Sequence, residues 1–531
     1  MDSWLLELRQ AARRLAHLPA FTAAVVLTLG LGLGAIVAAF AVVNAVLLRP
    51  LPYPDSERIV TIQHHAPGLN VPELELSEGA VRLYRTWARS LDPLAVYYRL
   101  DRNLTGSDRP ARVSVVDVSP EFFDVVRTGP AVGTRFTEDD VAPGAEPVAI
   151  LTDAGWRAHF GADPGVVGRD VEIDGRRTRI IGIMPRGFYV DDPNAVLLMP
   201  RRVDPYGSFG TFGLRGIARL APGVTLDDAR REVAAIQERI PEMFPHMTAE
   251  WLRNAGWRAS VTPLRDRVVR DVETVLWVVF GAVVVIFLVA LANVANLYLV
   301  RVEGRGREMA VRAALGAGSG RIFGSFFAES VILSIAGGLV GLGAAALATR
   351  ALTAFAPAEL PRIHEVRIDG TVLLVAVLTS AVVGLTVGAL AVVRQSRKPI
   401  DGALRGARST TGSPERHRAR KALVAAQVAA ALVLLTGSGL MVRSFQRLRA
   451  VEPGVRTEGV LTVGVSLGEP DSAAVAASLY QRILDEVAAI PGVTAAGASS
   501  SLPTLVDDLN GSSFFLRSRP RAEDEVPPIA M

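Results

Sequence analysis

The stretch RVEGRGREMAVRAALGAG, residues 301–318, stands between two apolar runs and decides how this chain is organised. Basic residues outnumber acidic ones within it: Arg301, Arg305, Arg307 and Arg312 stand against Glu303 and Glu308. Loops of this charge beside a membrane span stay on the cytoplasmic side. Glu308 precedes Arg312 by four residues, a spacing that stabilises a helix by about 0.2–0.5 kcal/mol. Gly316 and Gly318 then favour a helix stop. The stretch therefore predicts a short cytoplasmic helix, which either binds a partner or lies on the lipid surface as a plain amphipathic connector.

Composition divides the chain into two kinds of sequence. Of its 531 residues, 50% are apolar and 21% are charged, so apolar and charged segments must be segregated. This length exceeds that of one ordinary domain. The net charge of +4 is small, and the basic residues cluster beside apolar runs, which argues against a nucleic-acid partner. The sequence contains no cysteine, which excludes disulfides, thiol catalysis and cysteine-ligated metal.

Five apolar runs reach the length of about 20 residues that a bilayer core requires. They are residues 21–48, 275–300, 322–348, 372–393 and 422–442. The first run follows Arg9, Arg13 and Arg14, as the apolar core of a signal sequence would. It is longer than the about 7–15 residues of such a core, and it is therefore predicted to be an uncleaved anchor.

Charge gives one orientation for all five spans. Arg13 and Arg14 place the N-terminus, residues 1–20, in the cytoplasm, and the segment 301–321 falls on the same side. The linker 394–421 is also rich in arginine and is predicted to be cytoplasmic. Residues 49–273 and the tail after the fifth span, 443–531, then lie outside.

The outside segment, residues 49–273, has the pattern of a folded α/β domain. Alternating residues predict strands at 112–118 (RVSVVDV) and 179–183. Asp174 and Gly175 predict a hairpin turn after the strand 171–174, because glycine accepts a positive φ. A helix is predicted at 226–240, with Thr225 as its N-cap.

The chain begins to repeat itself near its end. A basic pair, an apolar span and a strand-like stretch recur as Arg420-Lys421, residues 422–442 and residues 461–467 (LTVGVSL). A helix is predicted next, at 473–490. Residues 443–531 are therefore expected to be the start of a second outside domain that is incomplete at Met531; the alternative is a small complete domain with a disordered tail.

These segments resemble the MacB/FtsX type of ABC transporter permease, and most closely its long, internally duplicated members, the ADOP permeases. The strongest motif is REMAVRAALGAGSGRIFGSFFAESVIL, residues 307–333, which is similar to a family segment followed by a downstream glutamate, here Glu329. The outer domain adds LRPLPYP (48–54), NLTG (103–106), SPEFFDVV (119–126), IDGRRTRIIGIMP (173–185) and ARLAPGVT (218–225). The resemblance spans nearly the whole chain.

The resemblance implies an α-helical transmembrane bundle with a large α/β extracytoplasmic domain, a MacB-like periplasmic core. Residues 49–273 would form that core, and residues 275–393 would form an FtsX-like permease domain. Family members have no nucleotide site of their own and bind a separate ABC ATPase subunit through the segment between the second and third spans. In this chain the implied coupling residues are Arg305, Arg307, Glu308, Met309, Arg312, Ala313, Leu315 and Gly316.

Other partners and cofactors follow from the same resemblance. A homodimer, or a pseudo-dimer with a second half, is expected in a lipid bilayer, and a periplasmic adaptor stays open as a further partner. No cofactor is expected on this chain, because ATP would bind to the partner subunit. Independently, the sequence contains no GxxxxGK[ST] phosphate loop.

Three polar residues lie within predicted spans. Asn293 and Asn296 could hydrogen-bond across helices in a dimer, or could equally cap local backbone or reach the interface. Glu329 is a functional candidate, because a carboxylate inside a membrane is costly. Its alternative is a structural role at the cytoplasmic interface, paired with a nearby arginine such as Arg321.

Nothing in the sequence invites a catalytic or metal site. His64 and His65 are adjacent, which suits chelation of one metal poorly, while His246 and His364 stand alone. The chain is therefore expected to be a non-catalytic subunit in a bacterial inner membrane. Two functions stay open: efflux or extraction of a drug, peptide or lipid-linked cargo, and an FtsX-like signalling device that regulates a cell-envelope enzyme without transport.

Overall fold

The computed structural model describes residues 2–69, 71–105, 110–190, 192–304, 319–355, 362–396, 414–451, 459–465, 473–499, 512–513 and 529–530. The chain divides into two compact units. Unit 1 comprises Met1–Arg49 and Val269–Val451, and unit 2 comprises Pro50–Val268 and Glu452–Met531.

The helices are named in chain order over the described residues. They are α1 (Asp2–Ala16), α2 (Pro19–Val43), α3 (Glu78–Trp87), α4 (Phe122–Val126), α5 (Asp153–Phe160), α6 (Leu226–Glu238), α7 (Ile240–Met243), α8 (Ala249–Asn254), α9 (Leu264–Gly304), α10 (Ser319–Phe355), α11 (Gly370–Ser396), α12 (Pro414–Arg449) and α13 (Ala473–Ala488). A π-helical turn, Asn44–Leu48, extends α2.

Five of these helices are long and apolar enough to cross a membrane, as the sequence predicted. Their candidate spans are Pro19–Leu48, Leu264–Val302, Gly324–Phe355, Gly370–Leu390 and Val424–Arg449. Three of them, α2, α10 and α11, contact one another in unit 1. The described side chains of α12 are almost all exposed, as befits a helix whose surroundings are lipid or another chain.

Glycines bring α2 and α10 into backbone contact. A Cβ built on Gly341 would lie 2.9 Å from the Leu33 Cβ and 3.0 Å from the carbonyl oxygen of Gly30. A Cβ on Gly34 would lie 3.0 Å from the Gly341 carbonyl oxygen. Small residues allow membrane helices to approach this closely, and close packing replaces the hydrophobic driving force that lipid removes. The GxxxG spacings Gly30–Gly34 on α2 and Gly337–Gly341 on α10 therefore allow this close crossing.

A second crossing joins α10 to α11. A Cβ on Gly384 would lie 2.8 Å from Ser334 Oγ, and one on Gly388 would lie 2.7 Å from Ser330 Oγ. Here the small residues alternate between the helices, glycine on α11 facing serine on α10. α10 therefore packs against both α2 and α11.

Unit 2 is built on a mixed β-sheet. Its strands are β1 (Ile59–Ala66), β2 (Val71–Leu74), β3 (Leu76–Ser77), β4 (Leu91–Thr105), β5 (Ala111–Val118), β6 (Val132–Gly133), β7 (Val148–Leu151), β8 (Asp170–Ile173), β9 (Arg176–Ile183), β10 (Leu197–Pro200), β11 (Phe212–Leu220) and β12 (Arg258–Pro263). The main order is β12-β1-β11-β4-β5-β10-β7-β9-β6. A separate pair, β13 (Ser512–Ser513) and β14 (Ile529–Ala530), follows later in the chain.

The first and last long strands of this sheet are neighbours. β1 pairs antiparallel with β12, from Val60 opposite Pro263 to His65 opposite Arg258. The residues before β1 are held by Arg219 on β11, whose buried guanidinium donates to the carbonyl oxygens of Pro54 at 2.9 Å and Asp55 at 3.1 Å. The two ends of the sheet domain therefore lie side by side.

Local signals in the sequence predicted several elements correctly. β8 and β9 form the predicted hairpin, with Asp174 at φ 49° and Gly175 at φ 79°. Thr225 Oγ1 caps α6 by accepting from the Asp228 N–H, and the Asp228 carboxylate accepts from the Thr225 backbone N–H at 3.1 Å, which completes a capping box. α6 ends at Glu238, short of the predicted end at residue 240.

One predicted strand is wrong over the residues that the structure describes. Residues 461–465 of the stretch LTVGVSL form no strand, and Leu461 and Val463 are 88% and 72% exposed. A lone extended segment leaves its backbone groups unpaired, and it becomes a strand only beside a partner. Alternating residues alone therefore predicted a strand that this chain does not form there.

His64 on β1 is buried and neutral. Its Nε2 lies 2.6 Å from the Tyr84 hydroxyl, and its ring centroid lies 4.7 Å from that of Trp257. Burial, assisted by the neighbouring His65, lowers the pKa of His64 to about 3. The histidine is thus part of the packed core between the sheet and α3. Among the described residues, no group of three or more His, Cys, Asp or Glu side chains could hold a metal ion.

Candidate coupling site and its flanking helices

The predicted coupling residues lie outside the described residues. These are Arg305, Arg307, Glu308, Met309, Arg312, Ala313, Leu315 and Gly316. The structure does describe both helices that flank them, α9 up to Gly304 and α10 from Ser319. The geometry at the base of this segment is therefore defined by residues on those two helices.

Glu329 on α10 is the central charge at this base. It is 0% exposed. Its Oε2 lies 3.4 Å from Nη2 of Arg301, in the last turn of α9, and its Oε1 lies 3.8 Å from Nη1 of Arg14 on α1. The Arg301 guanidinium also lies over the Phe21 ring, 4.5 Å from its centroid. One carboxylate thus faces two cations contributed by two different helices.

A neutral hydrogen bond joins α9 to α10 about one helical turn before Arg301. The Tyr298 hydroxyl on α9 donates to the carbonyl oxygen of Phe326 on α10 at 2.8 Å, and both residues are buried. The bond occupies a carbonyl in apolar surroundings, where an unsatisfied polar group would be costly. α9 and α10 are therefore joined at Tyr298 and at Arg301.

The N-terminal helix packs on α10 at this place. Ala11 and Leu15 of α1 are buried, and α1 contacts α10. A Cβ on Gly324 of α10 would lie 2.6 Å from Oε2 of Glu7, so this glycine makes room for the α1 side chain. The corner between α1 and α2 is held by Thr22 Oγ1, which donates to the Leu15 carbonyl oxygen at 2.9 Å.

Of the three predicted intramembrane polar residues, only Glu329 has a polar site that the structure defines. Asn293 is exposed on α9, and Asn296 is half-buried. Their role across a dimer or at the interface stays a prediction. The predicted alternative paired Glu329 with a nearby arginine such as Arg321, whose side chain lies outside the described residues.

At the opposite end of unit 1, a carboxylate joins the end of α2 to the start of α11. Asp369 Oδ1 accepts from the backbone N–H of Val372 at 2.9 Å and so caps α11. Its Oδ2 accepts from Arg49 Nη2 at 2.7 Å and from Asn44 Nδ2 at 3.4 Å. A single side chain therefore caps one helix and holds the last turn of another.

Arg362 strengthens the same connection. Its side chain is 0% exposed and makes a two-pronged pair with Glu365, at 2.9 Å and 2.8 Å. Its Nη1 also donates to the Arg49 carbonyl oxygen at 2.8 Å. Such fork-shaped pairs are among the stronger hydrogen-bonded contacts. The exit of the chain from α2 is thus fixed to the loop before α11.

An apolar cleft of about 200 Å³ lies near this end, within unit 1. It is lined by side chains of α2 and α9 together with Leu352 and Ile363, among them Val42 and Phe280. The lining is apolar throughout, so the cleft can accept hydrocarbon and offers little to orient a polar group.

Sequence reasoning did not foresee most of these partners. Arg14 and Arg301 carried a signal, since both contributed to the predicted orientation, but nothing in their spacing placed them beside Glu329. Arg362 and Asp369 had only the signal of charge close to the ends of predicted spans. Their partners at the end of α2, Arg49 and Asn44, lie more than 300 positions away in the chain, beyond the reach of local pattern.

Two family models match this chain. Residues 22–236 match the MacB-like periplasmic core domain, and residues 280–400 match the FtsX-like permease C-terminal domain. The chain is similar to the macrolide export ATP-binding/permease protein MacB of Burkholderia thailandensis, at 29% identity over 43% of this chain and 34% of that protein. The MacB protein of Neisseria gonorrhoeae is 26% identical over 46% of this chain and 36% of its own length. The matched region thus spans about a third of these relatives.

Solved structures of related domains cover a similar part of the chain. The periplasmic region of MacB from Actinobacillus actinomycetemcomitans aligns with a TM-score of 0.31 and 15% identity, over 41% of this chain and 94% of that one. A domain of a putative permease protein from Porphyromonas gingivalis aligns with a TM-score of 0.32 and 17% identity, over 40% and 92%.

Proposed function

The chain belongs to the MacB/FtsX type of ABC transporter permease, and from that premise we propose that it couples ATP hydrolysis on a separate ATPase subunit to movement of its periplasmic core domain. Its work would be efflux or extraction of a drug, peptide or lipid-linked cargo. It would do so as a multi-pass inner-membrane protein, with α1 and the segment 305–318 on the cytoplasmic side and unit 2 outside. The chain itself would catalyse no reaction.

The observation that carries this proposal is the join between α9 and α10. The segment 305–318 emerges from two helices that are tied together by Tyr298–Phe326 and by Arg301–Glu329. A force applied to that segment would be passed to both helices, since their base cannot easily splay. Packed helices move as rigid bodies in such transitions.

The continuing path supports the same mechanism. α10 contacts α2 through the Gly30–Gly341 crossing, and the last turn of α2 is bound to Asp369 and Arg362. α2 leads directly into the chain of unit 2. Displacement of the coupling segment would therefore pass along α10, across its close crossing with α2, and on along the chain into the outer domain.

The missing phosphate loop and the apolar face of the predicted coupling helix both support a separate ATPase subunit as the partner. The sequence lacks a GxxxxGK[ST] phosphate loop, and its two lysines, Lys398 and Lys421, each follow an arginine rather than a glycine. The predicted coupling helix offers Met309 and Ala313 as a small apolar face, with Glu308 and Arg312 as flanking charges. An apolar helix face in a partner's groove is a common recognition mode.

The test is ATP hydrolysis by the purified chain, alone and mixed with candidate ATPase subunits from the same genome. We expect one mixture to hydrolyse ATP faster than the ATPase alone. The double variant Arg312→Glu with Ala313→Asp should abolish both stimulation and co-purification. The matched control carries the same two changes in the basic linker, Arg408→Glu with Ala407→Asp, and should retain both. Retained binding in the first variant would refute the coupling site.

Transport and signalling separate in a deletion strain. Accumulation of a labelled drug or lipid-linked substrate in cells that lack the chain supports transport. Altered cell morphology with unchanged efflux would instead support the FtsX-like signalling function and overturn the transport half of the proposal.

A further inference from the structure

The N-terminal helix α1 is attached to α10, the helix that follows the coupling segment. Ala11 and Leu15 are buried, and Glu7 occupies the space above Gly324 of α10. Arg14, one turn from the end of α1, reaches Glu329 at 3.8 Å. The helix therefore contacts α10 at two separate levels, and it does so with both apolar and charged side chains.

The charge arrangement makes this attachment conditional on one carboxylate. Glu329 faces Arg14 and Arg301, and the side chain of Arg301 is only 11% exposed. Removal of the carboxylate would leave two guanidinium groups side by side, one of them almost fully desolvated. A buried pair that loses one partner is strongly destabilised, because the remaining charge has no counterion. Glu329, on α10, thus acts as the shared counterion of Arg14 on α1 and Arg301 on α9.

The position of this cluster in the chain gives it a consequence. Arg301 lies in the last turn before the segment 305–318, and Glu329 lies on the helix that follows that segment. α1 contacts α10 directly, and its Arg14 shares the carboxylate of Glu329 with Arg301 of α9. Docking of α1 therefore bears on the one charge that also joins α9 to α10.

We propose that α1 is a fixed strut of the coupling site, and that Glu329 is the positioning residue that fastens it. The strut supports the carboxylate of Glu329 where it also pairs with Arg301, at the base of the two helices that flank the segment 305–318. The buried Ala11 and Leu15, together with the Arg14–Glu329 pair, argue for a strut that stays docked throughout the cycle, since undocking would expose apolar side chains and take one counterion from the buried carboxylate. This inference rests on the proposed function for its meaning, but the docking of α1 can be measured without any ATPase.

The absence of native cysteine allows a direct test in the full chain. Glu7→Cys with Gly324→Cys places two thiols where the structure brings α1 against α10. Arg9→Cys with Gly324→Cys is the matched control, because Arg9 is exposed on another face of α1. We expect oxidation to link the first pair rapidly within one chain, as shown by mass spectrometry of the joined peptides, and the control pair at least about tenfold more slowly, since bridging requires Cα atoms within about 7 Å. Equal rates would overturn the docked position of α1.

The role of the carboxylate is tested on the same linked pair. Glu329→Gln should slow cross-linking about tenfold, since the buried cations lose their counterion. Arg14→Gln should slow cross-linking as well, because Arg14 is the α1 side of this pair, whereas Arg301→Gln leaves the Arg14–Glu329 pair in place and should have the smaller effect. Glu329→Asp keeps the charge and should restore most of the rate, which also covers the case in which Glu329→Gln fails to fold. Ser330→Ala, a neighbouring buried change without charge, is the control and should leave the rate unchanged. An unchanged rate in both Glu329→Gln and Arg14→Gln would refute the proposal.

The final arm asks whether the strut is fixed. We expect the chain cross-linked between positions 7 and 324 to stimulate its ATPase as well as the reduced chain does. Loss of stimulation on linking, regained on reduction, would show that α1 must move and would overturn the strut. If the unmodified chain stimulates no ATPase, the proposed function fails, while the cross-linking rates still decide whether Glu329 fastens α1.

Discussion

The crossing of α2 and α10 predicts opposite effects for the same substitution at two glycines of one helix. A Cβ on Gly341 would meet the backbone of α2, at 3.0 Å from the Gly30 oxygen and 3.1 Å from the Gly34 nitrogen. A Cβ on Gly343, two positions further on α10, meets nothing within 4 Å. Gly341→Ala and Gly343→Ala therefore differ only in whether the new methyl group has room.

The magnitude follows from two opposing contributions. Replacement of glycine by alanine within a helix stabilises the helix by about 0.5–1 kcal/mol, and this gain is common to both variants. An extra methyl group in a packed interface costs about 1–3 kcal/mol, and only Gly341→Ala pays this cost. We therefore expect the unfolding free energy of Gly341→Ala to lie about 1–3 kcal/mol below that of Gly343→Ala.

The assay is thermal or denaturant unfolding of both purified variants in the same detergent, with the unsubstituted chain as reference. Gly343→Ala should match or exceed the reference, and Gly341→Ala should fall below it. The backbone contact also predicts weaker ATPase stimulation for Gly341→Ala in the mixture that responds. Equal stability of the two variants would refute the close approach of α2 and α10.

Two further predictions concern a buried ion pair and a buried neutral histidine. Arg362→Gln should lower the unfolding free energy by about 3–5 kcal/mol, because Glu365 loses its partner and the Arg49 carbonyl loses a donor. Substitution of the exposed Arg367 by Gln should change the unfolding free energy by less than about 0.5 kcal/mol in the same experiment. Similar losses in the two variants would contradict the buried pair. His64 has its pKa lowered from 6.5 to about 3 in the fold, so the unfolded chain binds the proton first and stability falls as pH drops below 6.5. Protection of β1 amides in hydrogen exchange, corrected for intrinsic rates, should therefore weaken by about 2 kcal/mol between about pH 7 and pH 5, and the non-titrating His64→Gln should remove most of this pH dependence; an equal slope in both proteins would show that His64 is not the group responsible.

Features fixed by neighbouring residues could be predicted from the sequence. Thr225 and Asp228 stand three positions apart, and their capping box depends only on that spacing and on the helix that follows. Asp174 and Gly175 likewise specify a tight turn through backbone preferences alone. The number of apolar helices followed from composition over windows of about 20 residues.

Features that need a distant partner could not be predicted in this way. The stretch at residues 461–467 alternates like a strand, yet no ladder forms in the part that the structure describes, since pairing is decided by another segment. Glu329 drew attention as a carboxylate in a span, but its partners Arg14 and Arg301 come together only when three helices pack. Ion pairs of this kind depend on tertiary structure rather than on local spacing.

The pairing of β1 with β12 has an implication for how such chains diversify. A folded segment whose two ends are adjacent can be inserted into, or exchanged within, a host protein with little disturbance of the host. Val60 opposite Pro263 places the two ends of the sheet domain in one hydrogen-bonded ladder. The segment between them has the form of a cassette, so its loops and surface can change through recombination while the helices encoded on either side keep their sequence. Chimaeras that exchange residues 59–263 between relatives are therefore expected to fold, and their yield and stability measure how self-contained this segment is.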